Sequence, residues 1–232
     1  MIGRVVLAAL LAGIAAGLIM GVIQHVRLTP LILAAERFEA QPPVATHDHG
    51  EGHDHEHDHG GWHPADGWQR SLATTITAAM TGAAFAAVLA GISLIAGIPI
   101  TRGNGLVWGL CGFLAVTLAP AMGLPPELPG MVAGDLGVRQ WWWAATVALT
   151  AAGIFLIASR REAWAVVLAL VLIAIPHVVG APNAIHAESN VPAELAARFA
   201  ANAIAANAVF WLLIGLFLSL ALGRAAGDVY ER

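Results

Sequence analysis

Between Thr46 and Pro64 the chain reads His47-Asp-His49-Gly-Glu51-Gly-His53-Asp-His55-Glu-His57-Asp-His59-Gly-Gly-Trp62-His63. Seven of the ten histidines lie here, interleaved with carboxylates. Neutral imidazole is the commonest protein ligand for divalent first-row metals, and carboxylates add the negative charge that holds a dication. Almost nothing in the stretch is apolar, so it cannot build a core of its own. It needs no fold to chelate, because any two or three neighbouring ligands can close on an ion. The expectation is weak, redundant binding of several ions by His47, His49, His53, His55, His57, His59 and His63.

A second, sparser set of polar residues lies in apolar surroundings. Gln24-His25 and Pro176-His177 each precede the end of an apolar run, and His186 and Glu188 follow the second. Ionisable groups inside a membrane are costly and default to a functional hypothesis. Pro176 frees a carbonyl one turn back that some donor or ion must satisfy. These nitrogens and oxygens, with no thiolate among them, suit Co, Ni or Zn better than Cu(I). Glu36 and Glu127 could stand at a mouth, the latter held by the proline-fixed turn Gly123-Leu-Pro-Pro-Glu127-Leu-Pro-Gly130. Asn202 and Asn207 could line a path, though in a helix bundle such amides more often join helices. Threonines 77, 81, 146 and 150 more often bond back to their own helices.

The elements that must carry these residues are membrane spans. The chain is 58% hydrophobic and 11% charged, with a mean hydropathy of +0.73, whereas a soluble domain is about 25% charged. Six stretches approach the ~20 apolar residues that a spanning helix requires: Val5–Val26, Leu72–Gly97, Gly105–Met122, Trp141–Ala158, Ala163–Gly180 and Ala203–Leu222. The first is too long for a secretory signal and reads as a retained helix. The third to fifth are near the short limit, which leaves room for a re-entrant element. The expected fold is an all-α membrane protein of about six helices over residues 1–232, with 41–67 inserted as a His/Asp/Glu-rich outer loop.

Arginine placement sets the orientation. The short segments 1–4, 98–104, 159–162 and 223–232 hold Arg4, Arg102, Arg160, Arg161, Arg224 and Arg232. That density puts both termini in the cytoplasm and the His-rich loop outside. Trp62, Trp68 and Trp141 to Trp143 then fall in the outer interfacial belt, and Trp108 and Trp164 in the inner one. Glycines 13, 17 and 21, and glycines 105 and 109, recur at spacings of four, a pattern that lets helices approach closely.

The chain also reads as three tandem helical hairpins. His25-Val-Arg-Leu-Thr-Pro30, Ala115-Val-Thr-Leu-Ala-Pro120 and His177-Val-Val-Gly-Ala-Pro182 end the odd spans. A glutamate follows each proline (Glu36, Glu127, Glu188), and an arginine opens each even span (Arg70, Arg139, Arg198). Transporters often grow by such duplication. The repeat places His25 and His177 at equivalent positions, facing one outer vestibule.

Several classes are excluded. One cysteine, Cys111, forbids an intramolecular disulfide and a multi-thiolate site. All eleven basic residues are arginine, which removes the phosphate loop of P-loop ATPases and any lysine Schiff base. A net charge of −4 gives no support for nucleic-acid binding, and no Gly-x-Ser-Gly serine nucleophile occurs.

Four segments resemble the CbtA family, proposed cobalt-transporter subunits of bacteria: Pro30-Leu-Ile-Leu-Ala-Ala-Glu36-Arg-Phe-Glu39; Gly112-Phe-Leu-Ala-Val-Thr-Leu-Ala-Pro120-Ala-Met-Gly-Leu-Pro-Pro-Glu127-Leu-Pro-Gly130; Arg139-Gln-Trp-Trp; and Pro176-His177-Val-Val-Gly-Ala-Pro182. The second is the most specific, and the resemblance covers nearly the whole chain. It implies cobalt uptake across the inner membrane, linked to cobalamin synthesis, with a small one-span, histidine-bearing partner called CbtB. It brings no established ligand set. The residues themselves indicate only a borderline dication, Co²⁺, Ni²⁺ or Zn²⁺; the resemblance is what puts Co²⁺ first. Two other readings remain: a membrane oxidoreductase holding haem between His25 and His177, and a metal-sensing scaffold that transports nothing.

Overall fold

The computed structural model describes residues 2–39, 67–182 and 189–230. Among them the regular elements are helices: α1 (Ile2–Phe38), α2 (Trp68–Ala96), α3 (Gly105–Ala121), α4 (Leu136–Ser159), α5 (Ala163–Val179) and α6 (Ala193–Tyr230). Four of them, α1, α2, α4 and α6, are long and apolar enough to cross a membrane. The other two have at most 17 residues, or about 25 Å of rise, against a hydrocarbon core of about 30 Å. Both are among the spans whose sequence is near the short limit.

One boundary differs from the sequence expectation. Pro30 should end the first span near Val26, yet α1 continues to Phe38. The helix widens to π winding over Gln24–Leu28. The Thr29 N–H reaches back five residues to the Gln24 carbonyl, and Thr29 Oγ1 donates to the same oxygen at 3.2 Å. That wider turn carries the chain past a proline that has no N–H and would otherwise crowd the preceding turn. The same device recurs in α3, where π winding over Phe113–Leu118 precedes Pro120 and the Ala119 N–H reaches Leu114 O. The third copy differs. Helix α5 passes through Pro176 and stops at Val179, with Gly180 at φ 88°, so Pro182 lies beyond the helix. His25 and His177 therefore do not share one helix-end geometry.

The glycine stripes are packing surfaces. A Cβ on Gly13 would collide with the Gly82 carbonyl, and one on Gly17 with the Ala78 backbone. Helices α1 and α2 thus meet backbone to backbone, which maximises dispersion contact where lipid supplies no hydrophobic drive. Gly105 and Gly109 give α3 the same approach to α6 at Gly215 and Trp211. Phe210, Trp211, Ile214 and Leu218 of α6 are buried at the centre, and Phe85 of α2 stacks on Trp211 with ring centroids 4.7 Å apart. Helix α4 packs on the C-terminal part of α3 and on α5. Leucines 7, 11 and 18 of α1 and Val167, Leu170 and Val178 of α5 point outward, as lipid-facing side chains must.

The ends are capped locally. Gly97 closes α2 in the left-handed conformation, with its N–H on Leu94 O. Asp135 opens α4 by accepting the Val138 N–H at 2.9 Å. Asn104 ties the α2–α3 turn through Thr101 N at 2.7 Å and Pro99 O at 2.9 Å. In the Trp141-Trp142-Trp143 run only the middle ring is buried; Trp141 is 80% exposed. That is the outcome of a 100° turn per residue on a half-buried helix.

Candidate functional site

The π turn of α1 changes what its side chains face. Gln24 lines a cavity of about 570 Å³ bounded by α1, α2 and α6. The polar groups on its walls are Gln24, Arg70, Thr74, Thr77, Thr81 and Asn207. Gln24 Oε1 is buried without a hydrogen-bond donor from the protein. Such an atom costs stability unless something else donates to it. The neighbouring His25 instead lines a separate groove of about 780 Å³ with Thr29, Gly67, Arg70, Ser71 and Thr75. Arg70 is the one residue that borders both spaces.

His25 is held by Ser71. Ser71 Oγ lies 3.0 Å from its Nδ1 and also donates to Gly67 O at 3.1 Å. A serine hydroxyl has a single proton. With that proton on the Gly67 carbonyl, Ser71 accepts from Nδ1–H, and the lone pair of the neutral ring is left on Nε2. A hydrogen bond to one nitrogen that presents the other is the usual arrangement of a metal-binding imidazole.

The glutamates expected at the mouths are both in ion pairs. Arg70 Nη2 donates to Glu36 Oε1 at 2.5 Å, and Nη1 to Oε2 at 3.4 Å. Arg139 Nη2 donates to Glu127 Oε2 at 2.6 Å. The first pair joins the C-terminal part of α1 to the start of α2, and the second joins the loop after α3 to the start of α4. All four side chains keep 20–34% of their surface, so solvent weakens both pairs.

A match to the family model of CbtA, the probable cobalt transporter subunit, runs from residue 2 to residue 223. The chain belongs to the CbtA family. No match was found among curated proteins or among solved structures. The family is described as that of probable cobalt transporter subunits, which points to a metal ion as substrate. The four long apolar helices make it a multi-pass membrane protein.

Within this CbtA chain, His177 has different company from His25. It lies on α5, with its ring edge-on to Trp142 at 6.1 Å between centroids. Trp142 Nε1 donates to Pro176 O at 3.1 Å. Asn202 and Asn207 donate back to Arg198 O and Ala203 O, at 2.8 and 2.9 Å, rather than joining helices. Asn207 still lines the cavity. Thr74, Thr75 and Thr146 also bond back one turn. Among the described residues no three His, Cys, Asp or Glu side chains come together as a metal site. The seven loop histidines, His186 and Glu188 lie outside the described residues.

The contact of Ser71 with His25 and the separate surroundings of Gln24 and His25 were not visible in the sequence. A glutamine next to a histidine carries no motif. The proline six residues later is the only local sign of the widened turn that directs the two side chains into different spaces.

Proposed function

We propose that this subunit carries Co²⁺ inward across the bacterial inner membrane, with Ni²⁺ or Zn²⁺ as weaker substrates, and that the first hairpin forms the entry path. One observation carries the reading. The segment rich in histidine precedes Gly67 in sequence, with His63 four residues before it, and Gly67 lines the His25 groove. Ions collected by the loop are delivered to an imidazole whose Nε2 is free.

The path has three steps. The loop captures ions through redundant imidazoles and carboxylates, and its negative charge raises the local dication concentration. The ion then binds His25 Nε2, and Thr29, Glu36 and water complete its shell. From there it enters the cavity between α1, α2 and α6. His177 and Glu127, with His186 and Glu188 from the sequence, are the second set of candidate mouth ligands. With both termini cytoplasmic, an inside-negative potential favours entry by about 2.3 kcal/mol per charge per 100 mV. The subunit has no phosphate-binding loop, so the drive is that potential, a proton gradient or a partner. A small one-span, histidine-bearing CbtB-like subunit fits that last role.

The test is uptake of Co²⁺, Ni²⁺ and Zn²⁺ into proteoliposomes with and without the small partner. Cobalt accumulation that is lost with His25→Ala at saturating metal supports the reading. Metal binding without accumulation supports the scaffold reading, and a Soret band in purified protein supports haem.

A further inference from the structure

We propose that Ser71 is a positioning residue for the metal: it fixes His25 as the tautomer that carries its proton on Nδ1 and leaves the Nε2 lone pair for the ion. The inference rests on the reading of His25 as a ligand and concerns the residues that prepare it.

The seam between α1 and α2 brings the two side chains together. Gly13, Gly17 and Gly21 of α1 lie against Gly82, Ala78 and Thr75 of α2. The next step along the seam, four residues from Gly21 and four from Thr75, is His25 on α1 and Ser71 on α2. A Cβ on Gly21 would lie 3.0 Å from the Thr75 Cα, so this glycine sets how near the helices run one turn before the histidine. At that spacing the short serine side chain reaches the ring, with Ser71 Oγ 3.0 Å from His25 Nδ1.

A neutral imidazole has two tautomers, and its hydrogen bonds decide between them. Two contacts converge on Ser71 Oγ: His25 Nδ1 at 3.0 Å and the Gly67 carbonyl at 3.1 Å. The hydroxyl has one proton. If Ser71 gives it to Nδ1, its oxygen faces the Gly67 oxygen with no proton between them. If Ser71 donates to Gly67 and accepts from Nδ1–H, both contacts are hydrogen bonds. Such back-bonding is general in this stretch of α2, where Thr74 and Thr75 donate to Arg70 O and Ser71 O, each at 2.8 Å. Gly67 is suited to hold the proton. It caps α2 at φ 91° and ψ −131°, a conformation open to glycine because it has no Cβ. Its carbonyl takes the Ser71 N–H at 3.1 Å, and the second lone pair of that oxygen is left for the hydroxyl.

The ligand is therefore prepared before the ion arrives. A partner on one ring nitrogen fixes both the tautomer and the ring orientation, and its loss costs about 10- to 100-fold in metal affinity.

The test is nitrogen-15 NMR of the full chain in lipid nanodiscs, with histidine labelled at both ring nitrogens. It is run above the ordinary imidazole pKa of about 6.5. The His25 signals are those that vanish in His25→Gln. The expected native ring is protonated on Nδ1 and bare on Nε2. Ser71→Ala should move it toward the Nε2–H tautomer and raise the Co²⁺ needed to broaden its signals about tenfold. Ser71→Thr keeps the hydroxyl and should restore both. A native ring protonated on Nε2, or a Ser71→Ala ring with the native tautomer, would overturn the proposal. So would a changed tautomer with an unchanged Co²⁺ response. If Ser71→Ala fails to insert, the tautomer of the native chain decides. The expected tautomers with no broadening by Co²⁺ in any chain would contradict the ligand reading, and would still support Ser71 as the residue that sets the ring.

Discussion

The first and second hairpins carry the same framework and different contents. In both, a π turn precedes a proline near the end of the odd helix, and a glutamate beyond it pairs with the arginine that opens the even helix. At the turn itself, Gln24-His25 stands in the first where Leu114-Ala115 stands in the second. The threonines also diverge. Thr77 and Thr81 line an open cavity, whereas Thr146 and Thr150 are buried in α4 on the stripe that meets α5. The shared parts are what a proline-bearing membrane helix needs to continue and to hold its neighbour. The parts that differ are those that the proposed metal path uses.

The largest effect should come from erasing that difference. Gln24→Leu with His25→Ala gives the first hairpin the side chains of the second. Cobalt uptake at saturating metal should fall more than tenfold while the protein still inserts, as read by tracer uptake against the amount of protein in the vesicles. The reciprocal change, Leu114→Gln with Ala115→His, should leave uptake within twofold.

Next come the ion pairs. Glu36→Gln and Glu127→Gln should each lower thermal stability by about 1 kcal/mol or less, since both pairs are partly exposed. Only Glu36→Gln should also change uptake, by severalfold. Equal transport defects in the two variants would show that the pairs do the same job and would remove the distinction between the hairpins.

His177→Ala should lower uptake by only about threefold, on the argument that a ligand outside the main path tunes capture by less than the 1.4 kcal/mol that corresponds to a factor of ten. A loss as large as that from His25→Ala would return His177 to one vestibule with His25. Smallest at saturating metal is the loop deletion, His47–His63, which should matter only when metal is scarce. That scarce-metal advantage should fade as pH drops through about 6.5, because imidazole must be deprotonated to bind. Transport assays over a metal and pH series check both points.

The sequence showed the helices and their short members because each leaves a local trace. Apolar runs, glycines at spacings of four, and the recurring proline, glutamate and arginine are all of this kind. The Glu36–Arg70 and Glu127–Arg139 pairs follow from that repeat once the hairpins fold. The length of α1 was not legible, because Pro30 reads as a stop unless the backbone widens, and the widening depends on Thr29 and the packing around it. The cavity was not legible either. Gln24, Thr81 and Asn207 are 57 to 183 residues apart in sequence and meet only because α6 returns beside the first hairpin. Back-bonded amides at Asn202 and Asn207 replaced the expected helix-joining ones because the preceding carbonyls in their own helix lie within reach.

The most direct test of the central claim is cobalt uptake into proteoliposomes containing this subunit and its small partner, comparing the native chain with His25→Ala at saturating Co²⁺. If the first hairpin is the path, uptake falls at least tenfold and added metal does not restore it. Uptake at the native rate in His25→Ala would place the path elsewhere in the bundle.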